Sequence, residues 1–339
     1  MSARIAFYVD AGRETGFGHL FRSASVARWL RLLGADVALF IPTFDAAVFA
    51  QDRFGLSVYY ADPDRFAPPE ADAWVVDLEG GCPPSIAQRL RPRCSVLALI
   101  NGTGYQGDDP ARSLADLVFY QGVTDVPKRL DWSGTSCRWY EGLSWIALRP
   151  EVLAGRVLRA QTVAQAYRAL GTVLVAGGGS DPTGFVPRAA SALRARYGDG
   201  LRILAIIGPR AAYGADALPP GTEAVAAPDN PVPHYLEADA AVVSFGMTAY
   251  ELAALGIPTV AFGMSPGHCD GAELLWLSMP EFVQSAGPTN VDDAELSYRI
   301  DAALEWLVSG PRFARVVPEQ PDGLGAARTA TEILAALEE

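Results

Sequence analysis

Short apolar runs alternate with amphipathic segments over the first half of the chain. The runs have the length and composition of strands and span residues 4–9, 36–41, 74–78, 95–100 and 114–122. One segment between them repeats apolar residues at helical spacing and stops at a glycine, with Leu20, Ala24, Ala27, Leu30 and Leu33 before Gly34. Strands that alternate with helices in this way predict a parallel sheet covered on both faces.

The same pattern starts again after about residue 155. Further strands are predicted at 172–176, 202–208, 240–246 and 258–264, and helices at 155–170, 187–198, 247–256, 271–278, 295–307 and 327–337. We therefore predict an α/β protein of two Rossmann-like domains, residues 1–150 and 151–339, with the last helix packing back on the first domain. Ligands bind such sheets at the carboxyl ends of the strands, which predicts a central cleft that both domains face.

The composition fits a folded α/β protein and narrows the class of ligand. The chain has 339 residues, of which 50% are hydrophobic and 19% charged, and its formal net charge is −12. An acidic chain has no overall attraction for nucleic acid or for an anionic membrane surface, so we expect neither as a partner. A small anionic ligand would need local arginines or backbone N–H groups.

Cysteine usage and the first residues predict a cytoplasmic protein. The cysteines show no C-x-x-C spacing and are expected to be reduced thiols; they are Cys82, Cys94, Cys137 and Cys269. The N-terminal residues turn polar too early for a signal peptide, and no stretch of about 18 apolar residues predicts a membrane span. No residues have metal-ligand spacing, so we expect neither a metal nor a cofactor. The sequence does not indicate the oligomeric state.

The loop after the first strand is the first candidate for chemistry. It runs from Asp10 to His19, and Gly16 and Gly18 allow the backbone to turn tightly into the following helix. His19 is then predicted in the first turn of that helix, where the helix dipole disfavours imidazolium and keeps the ring available as a base. The alternative is a helix-capping loop whose histidine merely packs.

A glycine run follows the strand 172–176 and continues as Ser180-Asp181-Pro182. Gly177, Gly178 and Gly179 leave backbone N–H groups unshielded just before a helix, which favours a phosphate or another anion. The run is neither G-x-G-x-x-G nor a Walker loop, so no motif supports NAD binding or ATP-dependent phosphate transfer. The alternative is an ordinary turn between strand and helix.

Two further segments follow predicted strands. From Ser244, a helix that begins near Thr248 is able to face a diphosphate, and Glu251 about one turn later is able to accept two ribose hydroxyls. Thr248 and Glu251 alternatively have the spacing of a capping box. The segment 266–270 places polar side chains after the strand 258–264, and a Cys269–His268 nucleophile pair is a weaker alternative there.

These segments, in this order, resemble one group of proteins. The similar stretches are GFGHLFRSASVARWL (16–30), GLSWIALRPEV (142–152), GGGSDP (177–182), IIGPR (206–210), ADAAVVSFGMTAYELAALGIPTVAF (238–262) and DGLGAARTATEIL (322–334). They resemble the UDP-2,4-diacetamido-2,4,6-trideoxy-β-L-altropyranose hydrolases of pseudaminic acid biosynthesis. The wider group includes spore-coat polysaccharide proteins and, more distantly, the N-acetylglucosaminyltransferase of lipid II synthesis. The resemblance covers nearly the whole chain and implies the GT-B fold.

The resemblance also implies roles at matching positions. His19 would be catalytic, with Asp10 in the position of the acid of the family's Arg-x-Asp, and Glu251 would hold the ribose. Ile207 and Gly208 would lie along the uracil. The remaining implied substrate-binding residues are Gly16, Gly18, Arg22, Gly178, Gly179, Ser180, Gly246, Met247, Thr248 and, where the family has an Asn-Gln pair, His268.

Departures from the family's pattern leave the reaction open. Ser23 replaces a cysteine, and Asn101-Gly102 replaces Asp-Asp, at positions where the sugar or its attacking partner would lie. The first hypothesis is a metal-independent UDP-sugar hydrolase, in which His19 activates water. The second is a glycosyltransferase with the same fold and an acceptor groove built from 42–60 and 101–112. The third, a non-catalytic nucleotide-sugar binding protein, does not explain His19.

Overall fold

The computed structural model describes residues 2–12, 16–102, 111–162, 170–308 and 321–339. The chain divides into two compact units, of which unit 1 contains Met1–Arg149 and Gly323–Glu339 and unit 2 contains Pro150–Asp322. Each unit has its own parallel sheet and its own apolar core.

Unit 1 contains a seven-stranded parallel sheet of order β3-β2-β1-β4-β5-β6-β7. The strands are β1 Arg4–Val9, β2 Asp36–Ile41, β3 Ser57–Tyr60, β4 Ala73–Asp77, β5 Val96–Gly102, β6 Leu117–Gln121 and β7 Arg138–Tyr140. The helices are α1 Gly18–Leu32, α2 Phe44–Phe54, α3 Pro84–Leu90 and α4 Val126–Arg129. The central strands β4 and β6 are buried along their whole length, which explains why they read as continuous apolar runs.

Unit 2 contains a six-stranded parallel sheet of order β10-β9-β8-β11-β12-β13. Its strands are β8 Thr172–Ala176, β9 Arg202–Ile207, β10 Thr222–Ala226, β11 Ala240–Ser244, β12 Thr259–Gly263 and β13 Val283–Pro288. Its helices are α5 Pro150–Thr162, α6 Phe185–Tyr197, α7 Val232–Glu237, α8 Met247–Ala254, α9 Pro266–Ser278 and α10 Asp293–Val308. Residues 163–169 of the predicted helix 155–170 lie outside the described part of the chain.

Both sheets reverse their strand order at one point. In unit 1 the chain moves from β1 outward to β3 and then returns to the other side of β1 with β4. In unit 2 the same reversal separates β8 from β11. The helices that follow strands on opposite sides of such a point cover opposite faces of the sheet, so a crevice opens at the carboxyl ends of the two strands. We therefore expect unit 1 to bind a ligand at the loops after β1 and β4, and unit 2 at the loops after β8 and β11.

The C-terminal helix, α11 Gly325–Ala336, packs on unit 1 beside α1. Its first residue meets the segment before unit 2 so closely that a Cβ on Gly325 would lie 2.2 Å from the carbonyl oxygen of Ile146. Farther along the helix, the Tyr140 hydroxyl donates to Glu332 Oε2 at 2.6 Å. A glycine is therefore required where α11 begins.

Gly325→Val is expected to lower the free energy of unfolding by about 1–3 kcal/mol, because the added side chain forces two backbone segments apart. Chemical denaturation followed by circular dichroism measures the change. Gly200→Val is the matched control, since a Cβ at Gly200 meets no atom within 4 Å. Equal stability of the two variants would contradict tight docking of α11.

Candidate active site

His19 lies in the first turn of α1, where the sequence predicts it. The helix begins at Gly18, directly after Phe17, and Gly16 adopts a left-handed conformation with φ of 72°. Residues 13–15 of the predicted loop lie outside the described part of the chain. The histidine side chain is 15% exposed, so the ring is largely withdrawn from water but still reachable.

The carboxylate of Asp77 binds the His19 ring. Asp77 is the last residue of β4, in register with Val9 at the end of β1, and it is fully buried. Its Oδ1 lies 2.7 Å from His19 Nδ1, while Oδ2 accepts hydrogen bonds of 2.8 Å from Arg22 Nε and from Ser23 Oγ. Arg22 Nη2 also contacts Oδ1. The unit 1 crevice thus contains a histidine held by a buried, fully hydrogen-bonded carboxylate.

The surroundings of Asp77 keep it ionised. Burial by itself raises the pKa of this carboxyl group, but the charges of Arg22 and His19 and their hydrogen bonds outweigh it and lower the pKa from 3.8 to about 2. An ionised carboxylate only accepts hydrogen bonds, so the 2.7 Å contact is a hydrogen bond when His19 Nδ1 carries the proton. Arg22 Nη2 lies 2.9 Å from the same nitrogen and donates to Asp77 Oδ1 in that tautomer. In the neutral ring, Nε2 is then the nitrogen with a lone pair, as a general base requires.

The structure places two other predicted residues around this pair. Arg22 is 6% exposed, and its guanidinium binds Asp77 from two nitrogens. The arginine of the G-x-G-H-x-x-R motif thus forms an ion pair with Asp77 within unit 1. Asp10 lies next to the pair, and its backbone N–H donates to the Asp77 carbonyl at 2.9 Å. Burial raises the pKa of Asp10, and the nearby Glu79 adds to the effect although His19 opposes it.

In unit 2, the predicted glycine loop lies against the loop after β9. A Cβ on Gly208 would lie 2.2 Å from the Gly178 carbonyl oxygen and 2.6 Å from that of Gly179, so only glycine fits. The Arg210 backbone N–H also donates to the Gly179 carbonyl at 2.9 Å. Ile207, the last residue of β9, is buried. The structure thus brings together the residues predicted for the uracil and for the phosphates.

Asp181 fixes the same loop from the other side, a role that the sequence analysis missed. Its carboxylate accepts backbone hydrogen bonds from Phe185 at 2.8 Å and Val186 at 2.9 Å, at the start of α6. The Tyr213 hydroxyl donates to the same carboxylate. Burial and, to a smaller extent, this hydrogen bond raise the pKa of Tyr213. Asp181 has a φ of 40°, which is rare outside glycine. These contacts hold Ser180, which is buried, next to the sheet.

The end of β11 and the start of α8 face the glycine loop across the strand reversal. Ser244, the last residue of β11, is 2% exposed, and its Oγ has no hydrogen-bond partner among the described residues. This oxygen lies 3.8 Å from the position of a Cβ on Gly178. Gly246 precedes α8, whose first residues, Met247 and Thr248, are partly exposed. A buried hydroxyl without a partner beside a helix N-terminus fits an anionic ligand that supplies the partner.

The capping-box alternative for α8 is wrong. The residue before the helix is Gly246, not Thr248, and no side chain caps the helix start. Glu251 instead faces the interior, is 2% exposed and accepts a hydrogen bond of 2.9 Å from the Tyr235 hydroxyl. Its predicted contact with a ribose stays a prediction.

His268 lies in the first turn of α9, at the carboxyl end of β12. Its backbone N–H donates to Ser265 Oγ at 3.3 Å, and its ring lies 6.1 Å from the ring of Phe245. The neighbouring Cys269 packs so closely on β12 that a Cβ on Gly263 would lie 2.4 Å from its Sγ. Burial, together with Asp270, raises the pKa of the Cys269 thiol, which opposes its use as a thiolate nucleophile.

Metal sites and membrane spans are both absent from the part of the chain that the structure describes. No group of three or more His, Cys, Asp and Glu residues there is arranged to hold a metal ion. No helix there is long and apolar enough to cross a membrane.

Comparison with known proteins identifies the fold. No family model and no curated protein matches the chain in sequence. Solved structures do match: the calicheamicin glycosyltransferase CalG4 has a TM-score of 0.62 and 16% identity over 100% of this chain and 99% of its own. The glycotransferase of kitacinnamycin has a TM-score of 0.61 and 15% identity over 99% and 100%. A putative UDP-N-acetylglucosamine 2-epimerase from Listeria monocytogenes has a TM-score of 0.58 and 10% identity over 100% and 97%.

These similarities extend over essentially complete chains, whereas the identities are low. They show the fold and do not test membership of the hydrolase family. The chain therefore has the GT-B fold, with two Rossmann-like units that each contain a parallel sheet.

Proposed function

We propose that the protein is a glycosyltransferase that moves a sugar from UDP to the hydroxyl group of an acceptor. The observation that carries the proposal is the buried Asp77 carboxylate on His19 Nδ1, because binding alone does not need a histidine fixed in one tautomer. The fold similarity to glycosyltransferases favours transfer to an acceptor over the hydrolysis that we first expected from the sequence.

The proposed reaction needs a base and a stabilised leaving group. His19 Nε2 takes the proton of the acceptor hydroxyl while that oxygen forms a bond to the anomeric carbon. The bond between the anomeric carbon and the phosphate oxygen breaks, and its electron pair leaves with UDP. Asp77 stabilises the imidazolium that forms, and Arg22 and Ser23 hold the carboxylate in place.

Unit 2 is proposed to bind the UDP part of the donor. The N-terminus of α8 and the Ser244 hydroxyl would bind the diphosphate and stabilise the charge that develops on it. Residues in the three neighbouring loops would complete the site: Gly178, Gly179 and Ser180 after β8, Ile207 and Gly208 at the end of β9, and His268 after β12. Glu251 is proposed for the ribose.

Hydrolysis of the same donor is the second candidate, because the G-x-G-H-x-x-R and GGGSDP segments resemble UDP-sugar hydrolases. Water would then replace the acceptor and the same bond would break. Incubation with UDP-sugars separates the two reactions: free sugar released at the same rate with and without acceptors supports hydrolysis, and a glycoside formed only with an acceptor supports transfer.

The first experiment is calorimetric titration of the protein with UDP, with GDP, CMP and TDP as controls. Selective binding of UDP without added metal supports the proposed donor site. Selective binding of another nucleotide would change the proposed donor but support the proposed site. No binding of any of the four nucleotides would contradict the proposed site.

Ser244→Ala is expected to weaken UDP binding about 10- to 100-fold, since a hydrogen bond to a charged group contributes about 1.5–3 kcal/mol. Thr289→Val is the matched control in the same unit. Thr289 is fully buried, and its hydroxyl also lacks a partner among the described residues, but it follows β13, two strands away from β11. Equal UDP affinities for both variants would exclude Ser244 from the site.

A further inference from the structure

Five of the six exposed large hydrophobic residues described in unit 1 form two groups. Leu32 and Leu33 are at the end of α1, near the amino edge of the sheet. Phe44, Val48 and Tyr60 are at the start of α2 and the end of β3, at the carboxyl edge. Tyr59 points to the other face of β3, where it stacks on Phe40 at 5.2 Å. The second group therefore lies at the sheet edge that also contains His19.

We call Phe44, Val48 and Tyr60 the aromatic patch. The Phe44 side chain is 60% exposed and that of Tyr60 47%, and their rings meet edge to face with centroids 5.6 Å apart. Val48 follows Phe44 by four residues, so the two side chains lie on one face of α2. Burying such a group would gain free energy, and contiguous exposed apolar side chains are typical of surfaces that bind another molecule.

Strand register places the aromatic patch in line with the catalytic pair. Tyr60 pairs with Ile41 and Val9 pairs with Asp77. The pairing of Tyr8 with Phe40 brings Val9 level with Ile41, so the four residues follow one line across β3-β2-β1-β4. Strand spacing is about 4.8 Å, so about 10 Å separates Tyr60 from the end of β1, after which His19 follows. A molecule of two or three fused rings spans that distance.

The helix that carries the patch is fixed to the helix that carries His19. On the side of α2 away from the solvent, Phe49 packs edge to face on Phe17 with ring centroids 4.8 Å apart. Phe17 directly precedes α1, two residues before His19. The position of Phe44 relative to His19 is therefore set by packed aromatic rings and not by a loop alone.

The charges around the patch select among apolar ligands. The charged residues within five positions of a patch residue are Asp45, Asp52, Arg53, Asp62, Asp64 and Arg65. Their net charge is −2, in a chain whose formal net charge is −12. A surface of this sign disfavours anionic ligands and favours neutral or cationic ones.

We propose that the aromatic patch binds the acceptor of the transferase and that the acceptor is a neutral or cationic aromatic alcohol. The proposal rests on the proposed function, since it assigns the substrate that His19 deprotonates. Apolar rings of the acceptor would pack on Phe44 and Tyr60, and its hydroxyl would extend along the sheet edge toward His19.

The experiment measures binding of 7-hydroxycoumarin to the full-length protein by fluorescence, with 7-hydroxycoumarin-3-carboxylate as the anionic analogue. We expect saturable binding of the neutral compound and weaker binding of the carboxylate. Phe44→Ser and Tyr60→Ser are each expected to raise the Kd about 3- to 10-fold, from the loss of one aromatic contact. Leu32→Ser, at a residue that is 74% exposed at the other edge of the sheet, is the control and leaves the Kd unchanged.

Three results would overturn the proposal: no saturable binding, a Kd that both patch variants leave unchanged, or a wild-type dimer that Phe44→Ser dissociates. The last result would make a second copy of the chain the occupant of the patch. Glycosyl transfer to glucose at a rate that Phe44→Ser does not change would also overturn the proposed acceptor, while it would support the proposed transferase function. Patch-dependent binding without turnover of any UDP-sugar would instead contradict the transferase and leave the patch as a site for aromatic alcohols.

Discussion

Replacement of His19 by alanine is expected to lower kcat by about 10²- to 10⁴-fold, the contribution typical of a positioned general base. The variant should still fold, with a small loss of stability, because Asp77 loses one hydrogen bond but keeps those from Arg22 and Ser23. Its UDP affinity should stay at the wild-type value, because the proposed UDP site lies in unit 2 and His19 in unit 1. Thermal unfolding tests the fold of the variant, UDP titration tests its UDP affinity, and initial rates of glycoside formation test its kcat.

His234→Ala is the matched control for this variant. His234 also lies on a helix and near a carboxylate, with Nδ1 3.6 Å from Glu237 Oε1, but it belongs to unit 2 and is not one of the residues proposed for the site. It should keep full activity. A His19→Ala enzyme that retains more than a tenth of wild-type kcat would contradict the assignment of His19 as the base.

The inner strands of both sheets could be predicted from the sequence because they are buried on both faces. Each of the strands β1, β2, β4, β5 and β6 has a continuous apolar run that the pattern analysis identified. The strands it missed are β3, β7, β10 and β13, which are the four sheet edges. An edge strand contacts solvent along one side, so the residues of Thr222–Ala226 are all exposed or partly exposed and form no long apolar run.

The candidate site was predictable where it depends on a local motif and not where it depends on the sheet. His19 follows Gly16 and Gly18 within one loop, so its place at the start of α1 could be inferred directly. Asp77 is 58 residues away along the chain, and only the order of β1 next to β4 brings it to His19. The signal was present as a carboxylate that ends the apolar strand 73–77, but the sequence does not say which strand lies beside β1.

Asp77→Ala is expected to have the largest effect on stability. The substitution leaves the Arg22 guanidinium buried without its carboxylate, and loss of one partner from a buried ion pair costs about 3–5 kcal/mol. It also removes the acceptor that holds the His19 tautomer, so kcat should fall as well. Chemical denaturation measures the first effect, and Glu79→Ala, at the exposed position two residues beyond, should change stability little.

The double variant Asp77→Leu with Arg22→Met separates the two effects. Apolar side chains of similar volume often replace a buried ion pair without loss of stability, so most of the free energy of unfolding should recover while kcat stays low. The part that does not recover is the cost of the Ser23 hydroxyl and His19 Nδ1, which lose Asp77 as their acceptor. Acid titration provides an independent check. Because the folded pKa of Asp77 is lowered to about 2 from 3.8, its contribution is present above pH 3.8 and is lost as the pH falls toward 2. The wild type should lose stability across that interval more steeply than the double variant. Recovery of kcat together with stability would show that Asp77 holds the fold and not the base.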